Sequence, residues 1–283
     1  MKRLPYSKEE KELDLYSNKK VKYSSLEEEE ATYLLDSIKF YKITLKNCPE
    51  KFKKNKNFVL NVLAIDGFNI KYVSQELRND KDVILVAVSS EPSSIKYISE
   101  ELKYDKEVVI TAIKKCGYSF EYVNEKFREN KEIVLIAVEA HGANLQYVSN
   151  ILKEDKDVGL IAVENCGYAL RHVSDDLKKD KHLVMRAVRK SGYALKYASD
   201  ELKKDRQVVM EAVKENGYAL EFASEELQND KEVVMQAVTR TKYSIKYASE
   251  ELQNDRDINL IFSKMFDVEK ERCDQFINVI FIF

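Results

Sequence analysis

Cysteine and histidine are the side chains of this chain best suited to metal or nucleophilic chemistry. Cys116, His141 and Cys166 follow one another at intervals of 25 residues, and thiolate and imidazole are zinc ligands. If this interval marks one layer of a stack, successive members lie roughly 9 Å or more apart, whereas zinc holds its ligands within about 2.3 Å. We therefore expect no metal site. No C-x-x-C pair occurs, and free thiols are expected at Cys48, Cys116, Cys166 and Cys273.

Paired carboxylates could support general acid–base chemistry. Such pairs recur at one place of the 25-residue period, at Glu100-Glu101, Asp175-Asp176, Glu225-Glu226 and Glu250-Glu251. A catalytic site is needed once, so recurrence favours a solvated ridge that pairs weakly with the bases that follow it, Lys103, Lys153, Lys178 and Lys203. The chain has no Gly-rich phosphate loop and no G-x-S-x-G or H-E-x-x-H motif. We expect no catalytic, cofactor-binding or metal-binding residue and no enzymatic activity.

The elements that carry these residues follow from a sequence repeat of 25 residues. Each repeat begins with Asp or Asn followed by Lys or Arg. We number its places from that first residue, place 0, and name the repeat after it. Place 0 is occupied by Asn55, Asp80, Asp105, Asn130, Asp155, Asp180, Asp205, Asp230 and Asp255. In most repeats aliphatic residues occupy places 3 to 5, Ala place 7, Gly place 12, aromatic residues places 13 and 17, and Leu place 22.

The Asp205 repeat shows why this pattern predicts helices. Asp205 is a favourable N-cap, because its carboxylate can accept hydrogen bonds from the free amides of the first turn. An apolar face at helical spacing follows, and Gly217 fits the left-handed position that ends such a helix. The apolar side of a second, shorter helix is formed by Tyr218, Leu220, Phe222, Ala223 and Leu227. Helices of about ten residues are unstable alone, so neighbouring repeats must stack. The sequence predicts an all-α solenoid of two-helix repeats, with a right-handed superhelix.

The repeat divides the chain into three predicted parts. Residues 55–262 contain eight repeats, and residues 1–54 form a charged tail and capping helices with a degenerate half-repeat. Residues 263–283 lose the pattern and are predicted to cap the last repeat, or alternatively to act as a docking peptide. In the Asp80 repeat, Pro92 occupies place 12 and Glu91 precedes it, so a different loop is predicted there.

Composition narrows the classes of function. The chain has 47 basic and 49 acidic residues, so no global basic excess points to nucleic acid. Apolar residues make up 44%, enough for a packed core. The first residues lack the apolar core of a signal peptide, and no apolar run is long enough to span a bilayer. We expect an intracellular, cytoplasmic protein.

The whole repeat resembles a known family. Residues 205–229 and 230–254 follow the unit D-K-E-V-V-x-x-A-V-x-x-N-G-Y-A-L-x-Y-A-S-E-E-L-K-N with few changes. This unit is similar to the helical repeat called domain of unknown function 4116. The resemblance covers about residues 55–262. It implies a helical repeat protein and brings no activity or catalytic motif with it. The leucine-rich variant repeat is a looser, purely architectural likeness.

Place 6 is a candidate protein-binding surface. It carries Val86, Thr111, Ile136 and Ile161 in four successive repeats, and then Arg186, Glu211 and Gln236. The periodicity puts this place at the edge of the buried face of the first helix. If it is exposed, the first four residues form an apolar strip of the kind that marks interaction sites. Alternatively, stacking or the N-terminal segment buries it.

The aromatic residues at place 17 suggest a second partner class. Some RNA-binding repeat proteins read one base per repeat with stacking side chains at fixed places. Alternatively, the rings fill the space between layers, with hydroxyls at the surface. Glu121 and Gln146 interrupt any basic stripe beside the rings, which disfavours RNA. We therefore predict a non-enzymatic scaffold for an unknown protein partner, with single-stranded RNA binding as the alternative.

Overall fold

A computed structural model describes residues 25–41, 43–261 and 263 of the chain. The chain divides into two compact units, Met1–Asn124 and Glu125–Phe283, which are described separately. The described residues contain helices and no β-strand. The predicted all-α repeat solenoid is confirmed, and the handedness of its superhelix stays a prediction.

Every full repeat begins with an α-helix of ten residues. In the first unit these helices are Lys56–Ile65, Lys81–Ser90 and Lys106–Lys115. In the second unit they are Lys131–Ala140, Lys156–Asn165, Lys181–Lys190, Arg206–Glu215 and Lys231–Arg240. The residue at place 0 is the N-cap, as predicted: the Asp205 carboxylate accepts hydrogen bonds from the amides of Gln207 and Val208 at 2.9 and 3.2 Å. Places 3, 4, 7 and 8 of these helices are fully buried.

The remainder of each repeat contains two short segments rather than the single second helix predicted. A 3-10 helix occupies Gly67–Tyr72, Pro92–Tyr97 and Gly117–Tyr122 in the first unit, and Gly142–Tyr147, Gly167–His172, Gly192–Tyr197, Gly217–Phe222 and Lys242–Tyr247 in the second. A second short helical segment follows it, which we call the third segment because the first helix and the 3-10 helix precede it. The third segments are Gln75–Arg78, Leu102–Tyr104, Glu125–Arg128, Asn150–Lys153, Leu177–Lys179, Asp200–Lys203, Glu225–Gln228 and Glu250–Gln253. Strained 3-10 geometry rarely continues beyond a few residues. The chain accordingly becomes extended at place 18, as at Ala198 (φ −67°, ψ 159°).

Among the described residues, three elements precede the first full repeat. The α-helix Ser25–Tyr41 packs against Lys56–Ile65. The 3-10 helix Leu45–Asn47 and the short helix Glu50–Lys53 lie 25 residues before residues 70–72 and 75–78, where the Asn55 repeat has the same two elements. The boundaries of the three predicted parts stay a prediction. The charged tail at residues 1–24 and nearly all of the predicted C-terminal cap lie outside the described residues.

Glycine at place 12 does not end the first helix in a left-handed conformation, so that prediction was wrong. Gly217 does not take a positive φ, and the helix ends at Asn216 in extended backbone (φ −148°, ψ 111°). A Cβ atom on Gly217 would lie 2.2 Å from the carbonyl oxygen of Ala237, in the following repeat. Gly217 suits this position because two repeats approach each other closely there; the Asp80 and Asp230 repeats have Pro92 and Lys242 at the same place.

The loop at Pro92 does not differ from its counterparts, contrary to the sequence-based prediction. The 3-10 helix Pro92–Tyr97 is six residues long and occupies places 12 to 17, like the 3-10 helices of the other repeats. Proline suits the first position of a helix, because its fixed φ is already helical and the amide that it lacks would have no helical partner. The Glu91 carboxylate caps this helix by accepting from the amide of Ser93.

Place 14 is buried in every full repeat and is polar in several of them. Asn69 is satisfied there, since its side-chain oxygen accepts from the Leu45 amide at 2.7 Å. The Ser94 hydroxyl is fully buried and has no hydrogen-bond partner among the described residues. Alanine fills the same place in other repeats, at Ala169, Ala194 and Ala219.

We expect Ser94→Ala to raise the free energy of unfolding by up to about 1 kcal/mol, because it removes a buried hydroxyl that forms no hydrogen bond. Denaturant titration measures the change. Asn69→Ala is the matched control at the same place. It should lower stability by about 1–3 kcal/mol, because it leaves the Leu45 amide unsatisfied. A lower stability for Ser94→Ala would show that its hydroxyl does contribute to the fold.

Candidate functional site

In the second unit, the place-6 residues lie on neighbouring helices at the protein surface. Ile136 and Ile161 belong to Lys131–Ala140 and Lys156–Asn165, which pack against each other. Both side chains are half-buried, as are Leu135 and Leu160 at place 5. These four residues, which we call the aliphatic edge, leave part of their apolar surface accessible.

In the first unit, Val86 and Thr111 have the same placement. They lie on Lys81–Ser90 and Lys106–Lys115, which pack against each other, and both are half-buried. The structure thus places all four predicted strip residues at the surface of their own units. That they contact a partner stays a prediction.

Later repeats of the second unit use charged residues at the same edge. The Arg186 guanidinium lies 3.1 Å from the Glu164 carboxylate, and the Glu211 carboxylate lies 3.0 Å from Arg189. Each of these ion pairs joins neighbouring repeats. Stacking therefore does not require an aliphatic residue at place 6.

An ion-pair ladder along the helix N-termini was not predicted from the sequence. The base at place 1 reaches the acid at place 0 of the next repeat, as where Lys181 Nζ lies 2.7 Å from an Asp205 carboxylate oxygen. The ladder comprises Lys56–Asp80 and Lys81–Asp105 in the first unit, and Lys131–Asp155, Lys156–Asp180, Lys181–Asp205, Arg206–Asp230 and Lys231–Asp255 in the second. The regular base after each cap residue was the sequence signal for it.

The cap residues titrate below their usual range as a result. Partial burial of Asp205 opposes its ionisation, but the hydrogen bonds from Lys181 and from two main-chain amides outweigh burial, so its pKa is lowered. Because the folded pKa lies below the unfolded one, the carboxylate stabilises the fold fully above about pH 4. This contribution is lost as the pH falls through the folded pKa.

We expect Asp205→Asn to lower the free energy of unfolding by up to about 1 kcal/mol near neutral pH, because it removes a partly exposed ion pair. The cap itself should survive, since Asn130 accepts from the Ile133 amide at 3.2 Å in its own repeat. Denaturant titrations at neutral and strongly acidic pH measure the difference from the unmodified protein. That difference should vanish in acid; an equal difference at both pH values would exclude the ionic contribution.

The aromatic residues at places 13 and 17 pack against each other between neighbouring repeats of the second unit. The rings of Tyr193 and Phe222 meet edge to face at 5.2 Å between centroids, and those of Tyr218 and Tyr247 at 6.3 Å. All four side chains are half-buried. The rings thus fill space between repeats and also reach the surface.

In the first unit, lysines cover some of these rings. Lys96 Nζ lies 4.9 Å from the Tyr97 centroid, 5.6 Å from that of Phe68 and 5.7 Å from that of Tyr122. Cation–π contacts of this kind stabilise the protein's own surface. They also occupy ring faces on which a nucleic-acid base would have to stack.

Sites for metals and membranes were also sought within residues 25–41, 43–261 and 263. No group of three or more His, Cys, Asp or Glu residues there is arranged to hold a metal ion. Cys48, Cys116 and Cys166 are free thiols, and Cys273 lies outside the described residues. No helix in this part of the chain has the length and apolar character needed to cross a bilayer.

Comparison with known proteins supports the repeat assignment. A family model described as Domain of unknown function (DUF4116) matches residues 33–78, 55–103, 80–128, 105–153, 130–178, 180–228 and 230–263. The first five matched segments overlap, and together the seven segments cover nearly all of the helical region. No curated protein and no solved structure was found to match the chain.

Proposed function

The chain belongs to the DUF4116 family of helical repeats, and from its surface we propose that it is a non-enzymatic scaffold that binds another protein. Each added repeat extends the surface that a partner can contact, without enlarging a single core. Formal charge is nearly balanced, at −2, which suits protein partners better than nucleic acid.

The aliphatic edge of the second unit carries this proposal. Leu135, Ile136, Leu160 and Ile161 are half-buried on two packed helices. Arg186 and Glu211 fill place 6 in later repeats and form ion pairs there, so stacking alone does not explain the isoleucines. Partly exposed isoleucines that stacking does not require, beside two half-buried leucines, are suited to burial against a partner.

We expect the double variant Ile136→Glu with Ile161→Glu to lose partner capture while keeping its helix content. Two new carboxylates would have to be desolvated in the interface, which costs several kcal/mol. The immobilised protein is exposed to a cell lysate with and without nuclease, and bound proteins are identified by mass spectrometry. Circular dichroism measures helix content.

The matched control is Gln236→Glu with Lys190→Glu, which adds two carboxylates to first helices of the same unit outside the aliphatic edge. Gln236 is half-buried at place 6 and Lys190 is exposed. This control should capture the same proteins as the unmodified chain. Equal capture by the Ile136 and Ile161 double variant would refute the aliphatic edge as the binding surface.

Single-stranded RNA binding is the second candidate function, and the surface aromatic residues with nearby lysines favour it. The contacts of Lys96 with three rings count against it, because they leave less ring surface for bases. Retention on immobilised single-stranded RNA at low salt, lost as the salt concentration rises, would support this function. Failure to bind at low salt would exclude it.

A further inference from the structure

The acidic ridge formed by places 20 and 21 is interrupted in the Asn130 repeat. Asn150 and Ile151 stand where the next three repeats have acid pairs. Ile151 is 80% exposed, an unusual degree for isoleucine. A single exposed aliphatic residue is common on protein surfaces, so its significance depends on its surroundings.

The same change deprives a neighbouring lysine of its partner. At place 23, Lys178 pairs with Asp175 at 2.8 Å and Lys203 pairs with Asp200 at 3.2 Å, each partner lying three residues earlier. The residue three positions before Lys153 is Asn150, and among the described residues Lys153 forms no ion pair. Its charge therefore remains available for an anionic group.

The Lys153 side chain belongs to a group of positive charges. The Ser174 amide donates to the Lys153 carbonyl at 3.0 Å, which joins the end of Asn150–Lys153 to the next repeat. Burial, followed by the charges of three bases, lowers the pKa of a half-buried histidine there, His172, to about 4. Those bases are Arg171, Lys153 and Lys178.

Arg171 completes the surface. It is exposed and forms no ion pair within the described part of the chain. Among the described third segments of the second unit, only Asn150–Lys153 presents an exposed aliphatic side chain. Lys153 belongs to this segment, and Arg171 precedes His172, on which both positive charges act. We call Ile151, Lys153, Arg171 and His172 the Ile151 patch.

We propose that the Ile151 patch binds an acidic peptide segment of a partner protein, one that carries an aliphatic side chain beside its carboxylates. Lys153 and Arg171 would pair with the carboxylates, and Ile151 would contact the apolar side chain. Charge complementarity favours such a segment, and the exposed isoleucine favours it over a purely anionic ligand. This patch lies on the short segments rather than the first helices, so it is independent of the aliphatic edge.

The test uses the full chain and a short fluorescein-labelled peptide of alternating glutamate and leucine, with binding followed by fluorescence anisotropy. Three competitors test which groups of the ligand are recognised. They are a peptide of alternating glutamine and leucine, a peptide of alternating glutamate and serine, and a short oligouridylate. The unmodified chain should bind the labelled peptide, more weakly as salt is added. The glutamine and serine peptides and the RNA should compete at least about tenfold less well.

The double variant Asn150→Asp with Ile151→Glu restores the acid pair of neighbouring repeats and should fold normally. It gives Lys153 a partner and removes the exposed isoleucine, so it should weaken peptide binding at least about tenfold. The matched control Lys203→Gln removes a base that Asp200 already pairs and should change binding by less than about twofold. Glu154→Gln removes the adjacent exposed carboxylate and should strengthen binding.

Three results would overturn the proposal. They are no binding by the unmodified chain, unchanged binding by the Asn150→Asp, Ile151→Glu variant, and stronger competition by the oligouridylate than by the glutamate–leucine peptide. Loss of lysate capture by the aliphatic-edge variant with peptide binding intact would separate the two surfaces.

Discussion

Gly192→Ala should lower the free energy of unfolding by about 3 kcal/mol. A Cβ atom at Gly192 would lie 2.3 Å from the carbonyl oxygen of Ala212 and 2.9 Å from the Asn216 amide nitrogen. Both atoms belong to the backbone of the next repeat and cannot turn aside as a side chain can. The two repeats must therefore separate, which disturbs the packing of both.

Gly159→Ala is the matched control for this prediction. Gly159 lies within the helix Lys156–Asn165, and its added Cβ would meet only side-chain ends, Leu183 Cδ1 at 3.1 Å and Leu177 Cδ1 at 3.3 Å. The gain in helix propensity offsets this crowding, so stability should change by no more than about 1 kcal/mol. Denaturant titration compares the two variants, and equal losses would show that close backbone approach is not the cause.

Ala162→Leu should destabilise the second unit by about 1–3 kcal/mol. Ala162 is fully buried in a helix that packs against the first helices on both sides, Lys131–Ala140 and Lys181–Lys190. Its carbonyl oxygen is the atom that the missing side chain of Gly142 would meet. Small residues at helix contacts set the shortest interaxial distances, so a leucine here must push neighbouring helices apart.

Ala140→Leu is the control, because Ala140 is exposed at the end of a first helix. It should change stability by less than about 0.5 kcal/mol. The thermal and denaturant midpoints of both variants give the comparison. An unchanged midpoint for Ala162→Leu would refute the close contact at place 7.

The first helix of each repeat could be predicted because its signals are local. Asp205 caps its own helix, and the apolar spacing of Val208, Val209 and Val213 identifies the buried face. Both depend on residues only a few positions apart, which a sequence displays directly.

The features that were mispredicted or missed depend on contacts between repeats. Gly217 looks like a helix end from its position, yet its reason is an oxygen atom of Ala237, twenty residues later. Lys181 likewise looks like part of its own helix, and its partner Asp205 belongs to the next. One sequence without a stacking geometry cannot assign such contacts.

Only one of the two candidate surfaces could be identified from the sequence. Place 6 was found because its residue type changes along the chain, from Ile161 to Arg186. The Ile151 patch was missed because Asn150 and Lys153 look unremarkable until the ion pairs of equivalent lysines are known. Irregular places become informative only beside a regular pattern of contacts.

The junction between repeats is built from interchangeable halves. The base at place 1 of one repeat pairs with the acid at place 0 of the next, as Lys181 does with Asp205. The main-chain carbonyl at place 23 of one repeat accepts from the amide at place 19 of the next, as where the Ser199 amide donates to the Lys178 carbonyl at 3.0 Å. Excision of one whole period from the interior of the second unit therefore rejoins matching halves. Excision of a length that is not a whole number of periods leaves a cap carboxylate and a main-chain amide unmatched. The architecture permits arrays of many lengths, provided that they change in whole repeats.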